Sequence, residues 1–241
     1  MSAVIRTTSL ESGYAGVPVI RGIDLHVEAG EVVALLGGNG AGKTTTLLSL
    51  AGVVKPTGGS VELLGEPIRP GRPHLQARRG LALVPDDRSL FFNLTVRDNL
   101  KLARDRGSST YKELEEQVLE YFPALRPKLT VKAGLLSGGE QQMLAVGRAL
   151  VTRPKVLMID ELSLGLAPLV VKDMLPVVRR IATEMQAAVL LVEQHIDLVL
   201  RHSDRAYVLN RGRITLEGTA AELLDDKERL RASYLAMEVA S

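Results

Sequence analysis

Apolar residues in this chain come in short, dense runs punctuated by glycine, proline and charge. Val32-Val33-Ala34-Leu35-Leu36, Leu81-Ala82-Leu83-Val84, Val156-Leu157-Met158-Ile159 and residues 187–192 are wholly apolar and of strand length. Runs without an alternating polar face suit parallel strands covered on both sides. The first thirty residues also read as β. There Ile23, Leu25 and Val27 alternate with Asp24, His26 and Glu28, as in a half-buried strand that stops at Ala29-Gly30. Residues 55–59 read as a turn and 60–64 as an edge strand, while 68–79, rich in proline and arginine and without a period, read as surface loop. Tyr207-Val208-Leu209, Arg211-Gly212 and Ile214-Thr215-Leu216 read as a hairpin.

Between these strands the period changes. Thr95 and Asp98 stand at capping-box spacing and open a helix through Leu102, which Gly107-Ser108-Ser109 breaks. Residues 111–121 carry Leu114, Val118 and Leu119 on one helical face, and Pro123 and Pro127 end that segment. Ser137 and Glu140 repeat the capping-box spacing before a helix through Leu150. Residues 168–184 predict a helix that Pro176 should kink or break, and 221–235 a last amphipathic helix. The pattern predicts an α/β chain with a helical insertion.

Composition narrows the class. The chain has 241 residues, enough for one large domain, and its 30 basic and 28 acidic residues leave a net charge of +2. No field of that size selects nucleic acid or an anionic membrane. There is no cysteine, which permits a reducing cytosol. No apolar run reaches the roughly 18–20 residues that cross a bilayer, and residues 1–6 carry no signal-peptide pattern. A membrane role would require docking onto another chain.

The chemistry concentrates after the first buried strand. Gly37-Gly38-Asn39-Gly40-Ala41-Gly42-Lys43-Thr44 fits G-x-x-x-x-G-K-[ST], with Thr45 following, between a strand and a helix. Glycines let the loop wrap phosphates and present backbone N–H groups, and a helix opening at Lys43 adds its positive dipole end. Lys43 supplies charge for the β- and γ-phosphates, and the Thr44 hydroxyl suits Mg²⁺. Asp160 and Glu161 leave the 156–159 strand together, and two such carboxylates need cationic or hydrogen-bonding partners. Beside a phosphate loop they divide the work: Asp160 toward Mg²⁺, Glu161 as base for the attacking water. Ser137, Gly138, Gly139 and Glu140 start a helix, where a cap explains the serine but not two adjacent glycines, so a second anion site is expected. Tyr14, one of only 5 tyrosines and 3 phenylalanines, lies in a glycine-containing segment as either a loop residue or a face for a base. His26, His74, His195 and His202 show no metal-ligand spacing.

Phosphate loop, Leu136-Ser137-Gly138-Gly139-Glu140-Gln141-Gln142, Asp160-Glu161 and a polar turn after the next strand follow one another in a fixed order. This order resembles the nucleotide-binding subunit of ABC transporters over about residues 14–235. Val84-Pro85-Asp86-Asp87-Arg88, Ser163-Leu164-Gly165-Leu166-Ala167-Pro168 and Leu191-Val192-Glu193-Gln194 resemble, more narrowly, the ATPases of bacterial branched-chain amino acid uptake systems and their amide and urea relatives. The resemblance implies a RecA-like P-loop core with a parallel sheet, an antiparallel β subdomain and a helical signature subdomain. The expected lobes are 1–90 with 150–220, 91–149, and a C-terminal helix at 221–241. ATP and Mg²⁺ are the implied cofactors, Tyr14 the adenine stack and Thr45 an α-phosphate contact. Ser137, Gly138 and Gly139 are implied to reach ATP held by a second subunit, identical or paralogous. Permease chains and, indirectly, a solute-binding protein are the implied partners at the cytoplasmic face of the membrane, with no nucleic acid.

The chain departs from the general pattern at several positions. Asp86 stands where glutamine is usual and is expected near Mg²⁺ or water. Gln194, ten residues before Asp204, aligns with the usual histidine, so it is expected to hydrogen-bond the γ-phosphate without charge, whereas His195 does not align. Leu162 replaces a common proline and Ala167 a common aspartate. An export ATPase, a weakly hydrolysing regulatory subunit and a DNA-maintenance or translation ATPase are the rival expectations. Against the last, only about 90 residues separate Thr44 from Ser137, without the sustained heptads of a coiled coil.

Overall fold

The computed structural model describes residues 3–103 and 111–226, with Glu228, Leu230 and Ser233. A six-stranded sheet holds the site. Four apolar strands, β3 (Val32–Leu36), β6 (Leu81–Val84), β7 (Val156–Asp160) and β8 (Ala188–Glu193), run parallel within it. The hairpin β9 (Arg205–Asn210) and β10 (Arg213–Thr219) completes the order β10-β9-β3-β8-β7-β6. Every residue of β3, β7 and β8 is buried, because both faces of the sheet are covered. Val32, Ala34 and Leu36 join one core with Leu157, Ile159, Val189 and Leu191. Val33 and Leu35 join the other with Val156, Met158 and Leu190.

That second core is closed by an antiparallel sheet of β1 (Ala3–Tyr14), β2 (Val17–Glu28), β4 (Pro56–Leu63) and β5 (Glu66–Pro67), in the order β2-β1-β4-β5. Helix α1 (Lys43–Leu50) contributes Leu47 and Leu50 to it. Thr46 and Ser49 of α1 are buried too. Thr46 Oγ1 donates to Gly42 O at 2.9 Å and Ser49 Oγ to Thr45 O at 2.7 Å, so they satisfy themselves on the preceding turn. The first core runs from the sheet into α3 (Val96–Leu102), α4 (Tyr111–Tyr121), α5 (Gly138–Leu150) and α6 (Pro168–Met185) through Leu100, Val118, Leu144 and Leu175. Short helices α7 (Ile196–Leu200) and α8 (Ala220–Asp225) cover its far end.

Several expectations are corrected. The expected turn is already strand from Pro56 onward, and β4 lies between β1 and β5 rather than at an edge. The loop at 68–79 contains α2 (Pro73–Arg78), started by Pro73 in its first turn. Strand β6 is an edge strand with Ala82 and Leu83 only partly buried. Helix α6 continues through Pro176, which faces solvent, where water can take the carbonyl freed by the missing N–H. Tyr14 ends β1 opposite Val17 instead of sitting in a loop. The expected break at 107–109 lies outside the described residues, as does most of the chain beyond 226.

Candidate active site

The site forms at the carboxyl ends of β3, β7 and β8, where open α/β sheets place their ligands. Between β3 and α1 the backbone turns through Gly40 at φ 74° and Gly42 at φ 105°, a region that side chains resist. At Gly37 the demand is steric, since a Cβ there would stand 2.6 Å from Leu209 O. Gly212 N donates to Ala41 O at 2.9 Å, which pins the back of the loop to the β9–β10 turn. The front lines a cavity of about 180 Å³ with Gly38, Asn39, Gly40, Gly42, Lys43, Thr44, Thr45, Val19 and Glu161. That volume suits phosphates, and the β1–β2 hairpin, which also carries the half-exposed Tyr14, borders it through Val19.

Charge is concentrated under this loop. Lys43 is buried, donates from Nζ to Gly38 O at 3.1 Å and lies 3.5 Å from Glu161 Oε1. Thr44 Oγ1 donates to Asp160 Oδ2 at 2.9 Å. Asp160 is buried as the last residue of β7, and its Oδ1 has no hydrogen-bond partner among the described residues. Burial raises its carboxyl pKa to about 6; the charges of Asp86 and Glu161 push the same way, and the Thr44 bond and Lys43 oppose. One orphaned carboxylate oxygen beside a threonine hydroxyl fits Mg²⁺, which is commonly held by one or two carboxylates plus substrate phosphates. Among the described residues there is no cluster of three or more His, Cys, Asp or Glu that would form a cage of its own.

Glu161 takes a left-handed φ of 49°, and its N–H donates to Val192 O at 3.0 Å. Its Oε1 accepts from Gln194 Nε2 at 2.7 Å, and the same nitrogen donates to Asn39 Oδ1 at 2.9 Å. Gln194 therefore bridges the phosphate loop and Glu161. His195 lines a separate recess with Leu166, Pro168 and Ile196. Asp86 is not brought to Thr44 and Asp160 by any hydrogen bond; its Oδ1 accepts from Asp87 N at 2.9 Å in its own turn.

Ser137 caps α5 as expected. Its Oγ accepts from Glu140 N at 3.3 Å, and Glu140 Oε2 accepts from Ser137 N at 2.8 Å, which helps hold the Glu140 carboxyl below its ordinary pKa. The paired glycines have a packing reason the sequence did not reveal. A Cβ on Gly139 would stand 2.8 Å from Val170 Cγ1 of α6, and one on Gly138 would stand 3.3 Å from Leu166. Ser137 is exposed, and neither it nor the glycines line the phosphate cavity.

The family model described as ABC transporter matches residues 20–163. The chain is 39% identical over 223 residues to the high-affinity branched-chain amino acid transport ATP-binding protein BraG of Pseudomonas aeruginosa, covering 92% of this chain and 95% of that one. The chain belongs to the ABC transporter ATP-binding family. Another member is the lipopolysaccharide export system ATP-binding protein LptB of Escherichia coli, 30% identical with 97% of both chains covered. In structure this ABC chain is similar to cbiO1 of Clostridium perfringens, part of the ABC transporter complex cbiONQ, at a TM-score of 0.85 and 25% identity, covering 99% of this chain and 97% of that one. The expected fold is thus the observed one, and ATP is the ligand of the family's domain. No helix of the described residues is long and apolar enough to cross a membrane.

Three residues of this ABC site escaped the sequence. Arg88, at φ 63°, donates to Gln142 Oε1 at 2.8 Å, Gln141 Oε1 at 3.0 Å and Leu164 O at 3.1 Å, joining three segments far apart in the chain. Glu193 and Ser163 hydrogen-bond across 30 residues. No local pattern announces such pairs.

Proposed function

We propose that this chain is the ATP-hydrolysing subunit of an ABC importer whose cargo is branched-chain amino acids or related small solutes. The observation that carries the hydrolytic reading is the Lys43–Glu161–Gln194–Asn39 cluster at the phosphate loop. Lys43 exchanges its contacts with Gly38 O and Glu161 for the β- and γ-phosphate oxygens. Thr44 and Asp160 hold Mg²⁺, which when bound neutralises triphosphate charge. Gln194 engages Oε1 of Glu161, and Oε2, with no hydrogen bond to the described residues, takes the proton of the attacking water. The water oxygen bonds to the γ-phosphorus as the bond to ADP breaks.

Tyr14 stacks on the adenine at the edge of the cleft, and Thr45 contacts the α-phosphate. Ser137, Gly138 and Gly139 close on ATP held by a second cassette, identical or paralogous. The exposure of Ser137 and the absence of all three from the chain's own phosphate cavity support that assignment. Closure then moves the helical lobe, residues 91–149, as a rigid body against permease chains at the cytoplasmic face.

Import of amino acids rests on the 39% identity to BraG, against 30% to LptB over comparable coverage. The test is phosphate release by the chain assembled with its co-purifying membrane partners in vesicles. Leucine presented with the system's solute-binding protein is expected to stimulate turnover. Stimulation by lipopolysaccharide instead would make the chain an export ATPase. Turnover absent under all conditions would make it a regulatory subunit.

A further inference from the structure

Glu193 is a buried carboxylate at the end of β8, 1% exposed, paired in register with Leu36 just before the phosphate loop. Among the described residues it has no ion pair with lysine or arginine. Its oxygens are occupied by neutral donors. Oε1 accepts from Ser163 N at 2.8 Å; Oε2 accepts from Ser163 Oγ at 2.7 Å and from Gln194 N at 3.3 Å. Burial pushes its pKa up, and these bonds push it down. A buried carboxylate whose oxygens are met only by neutral donors, with no lysine or arginine paired to it, calls for a reason beyond filling space.

The neighbours of Glu193 supply one. Ser163 is two residues beyond Glu161, and Gln194 is the next residue after Glu193. Glu161 accepts from Gln194, Gln194 follows Glu193, Glu193 accepts from Ser163, and Ser163 leads back to Glu161. The ring closes around the 2.7 Å hydrogen bond that orients Glu161. Two separate loops, the one after β7 and the one after β8, are thereby held at a fixed spacing. A carboxylate can accept on both oxygens at once, which a glutamine cannot, because half of its head group is a donor.

We propose that Glu193 is a positioning residue for ATP hydrolysis, setting the distance between Glu161 and Gln194 through Ser163. The inference rests on the reading of Glu161 as the base. Glu193 touches neither nucleotide nor water in this account. Its loss should therefore lower kcat and leave ATP affinity in place, since misplacement of a reacting group by about an ångström costs rate rather than binding.

The test is a double-mutant cycle on the full chain, reading phosphate release and, separately, ATP binding. Glu193→Gln is expected to lower kcat by about tenfold while the Kd for ATP stays within about twofold. In a Gln194→Ala background the same change should have almost no further effect, because the bond it protects is already gone. Ser163→Ala, which deletes only the hydroxyl bond, should show a smaller loss of the same kind and keeps the test usable if Glu193→Gln folds poorly. Unchanged kcat in both Glu193→Gln and Ser163→Ala overturns the inference, as does an equal loss with and without Gln194. Glu161→Gln, measured alongside, separates the two levels. If it abolishes turnover while the Glu193 variant is normal, only the positioning role fails. If it leaves turnover intact, the base assignment fails and the positioning role fails with it.

Discussion

Asp160 shows at a single residue how the site sets function against stability. Its carboxyl pKa stands at about 6 instead of 3.8, so between those values the folded chain binds more protons than the unfolded one. Stability therefore falls as pH rises through that window, and the full penalty is present above it. Asp160→Asn keeps an acceptor for Thr44 and removes the buried charge. Without nucleotide, the variant is expected to be more stable than the parent at pH 7.5 by up to about 3 kcal/mol, and indistinguishable from it at about pH 3, below both pKa values. Urea unfolding at the two pH values reads this directly, and a variant that is less stable at pH 7.5 contradicts it. Residues of this kind were legible from the sequence. Lys43 with Thr44, and Asp160 with Glu161, form two contiguous motifs at strand ends, each readable from its own few residues. Arg88, Ser163 and Glu193 were not, because each acts through partners brought close only by folding.

Among the elements, α5 is where packing overrides propensity. Gly147 lies inside that helix, where alanine is ordinarily better by about 1 kcal/mol. A Cβ there would stand 2.7 Å from Val118 Cγ1 of α4, a stiff β-branched side chain. Overpacking of that sort costs about 1–3 kcal/mol, so Gly147→Ala is expected to lower the melting temperature and Val118→Ala to recover part of the loss in the double variant. A rise in melting temperature for Gly147→Ala alone would show that α4 and α5 do not approach this closely. Elements with strong local signals were read well: α4 runs from Tyr111 to Tyr121 as its apolar face indicates, and Thr95 and Ser137 cap their helices. Those missed, α2 and the first half of β4, are short segments in glycine-, proline- or arginine-rich sequence. Their pairing and packing, not their propensity, decide their conformation.

On the scale of the whole molecule, the apolar runs revealed a buried parallel sheet but not its order. That β6 ends at an edge and β3 lies between β8 and β9 follows from crossovers that no local pattern encodes. The order matters for function. It brings the ends of β3, β7 and β8 side by side, so Lys43 meets Asp160 and Gln194, each more than a hundred residues further along the chain. It leaves the start of α5 outside that cluster, available to a second copy. A site shared between copies is most directly tested by mixing two inactive variants, Lys43→Ala with its phosphate loop disabled and Ser137→Arg with its helix start blocked, and measuring MgATP turnover. Each variant alone is expected to be inactive and the mixture to regain turnover, because one of its two shared sites pairs an intact loop with an intact helix start. A mixture as inactive as its components would contradict it.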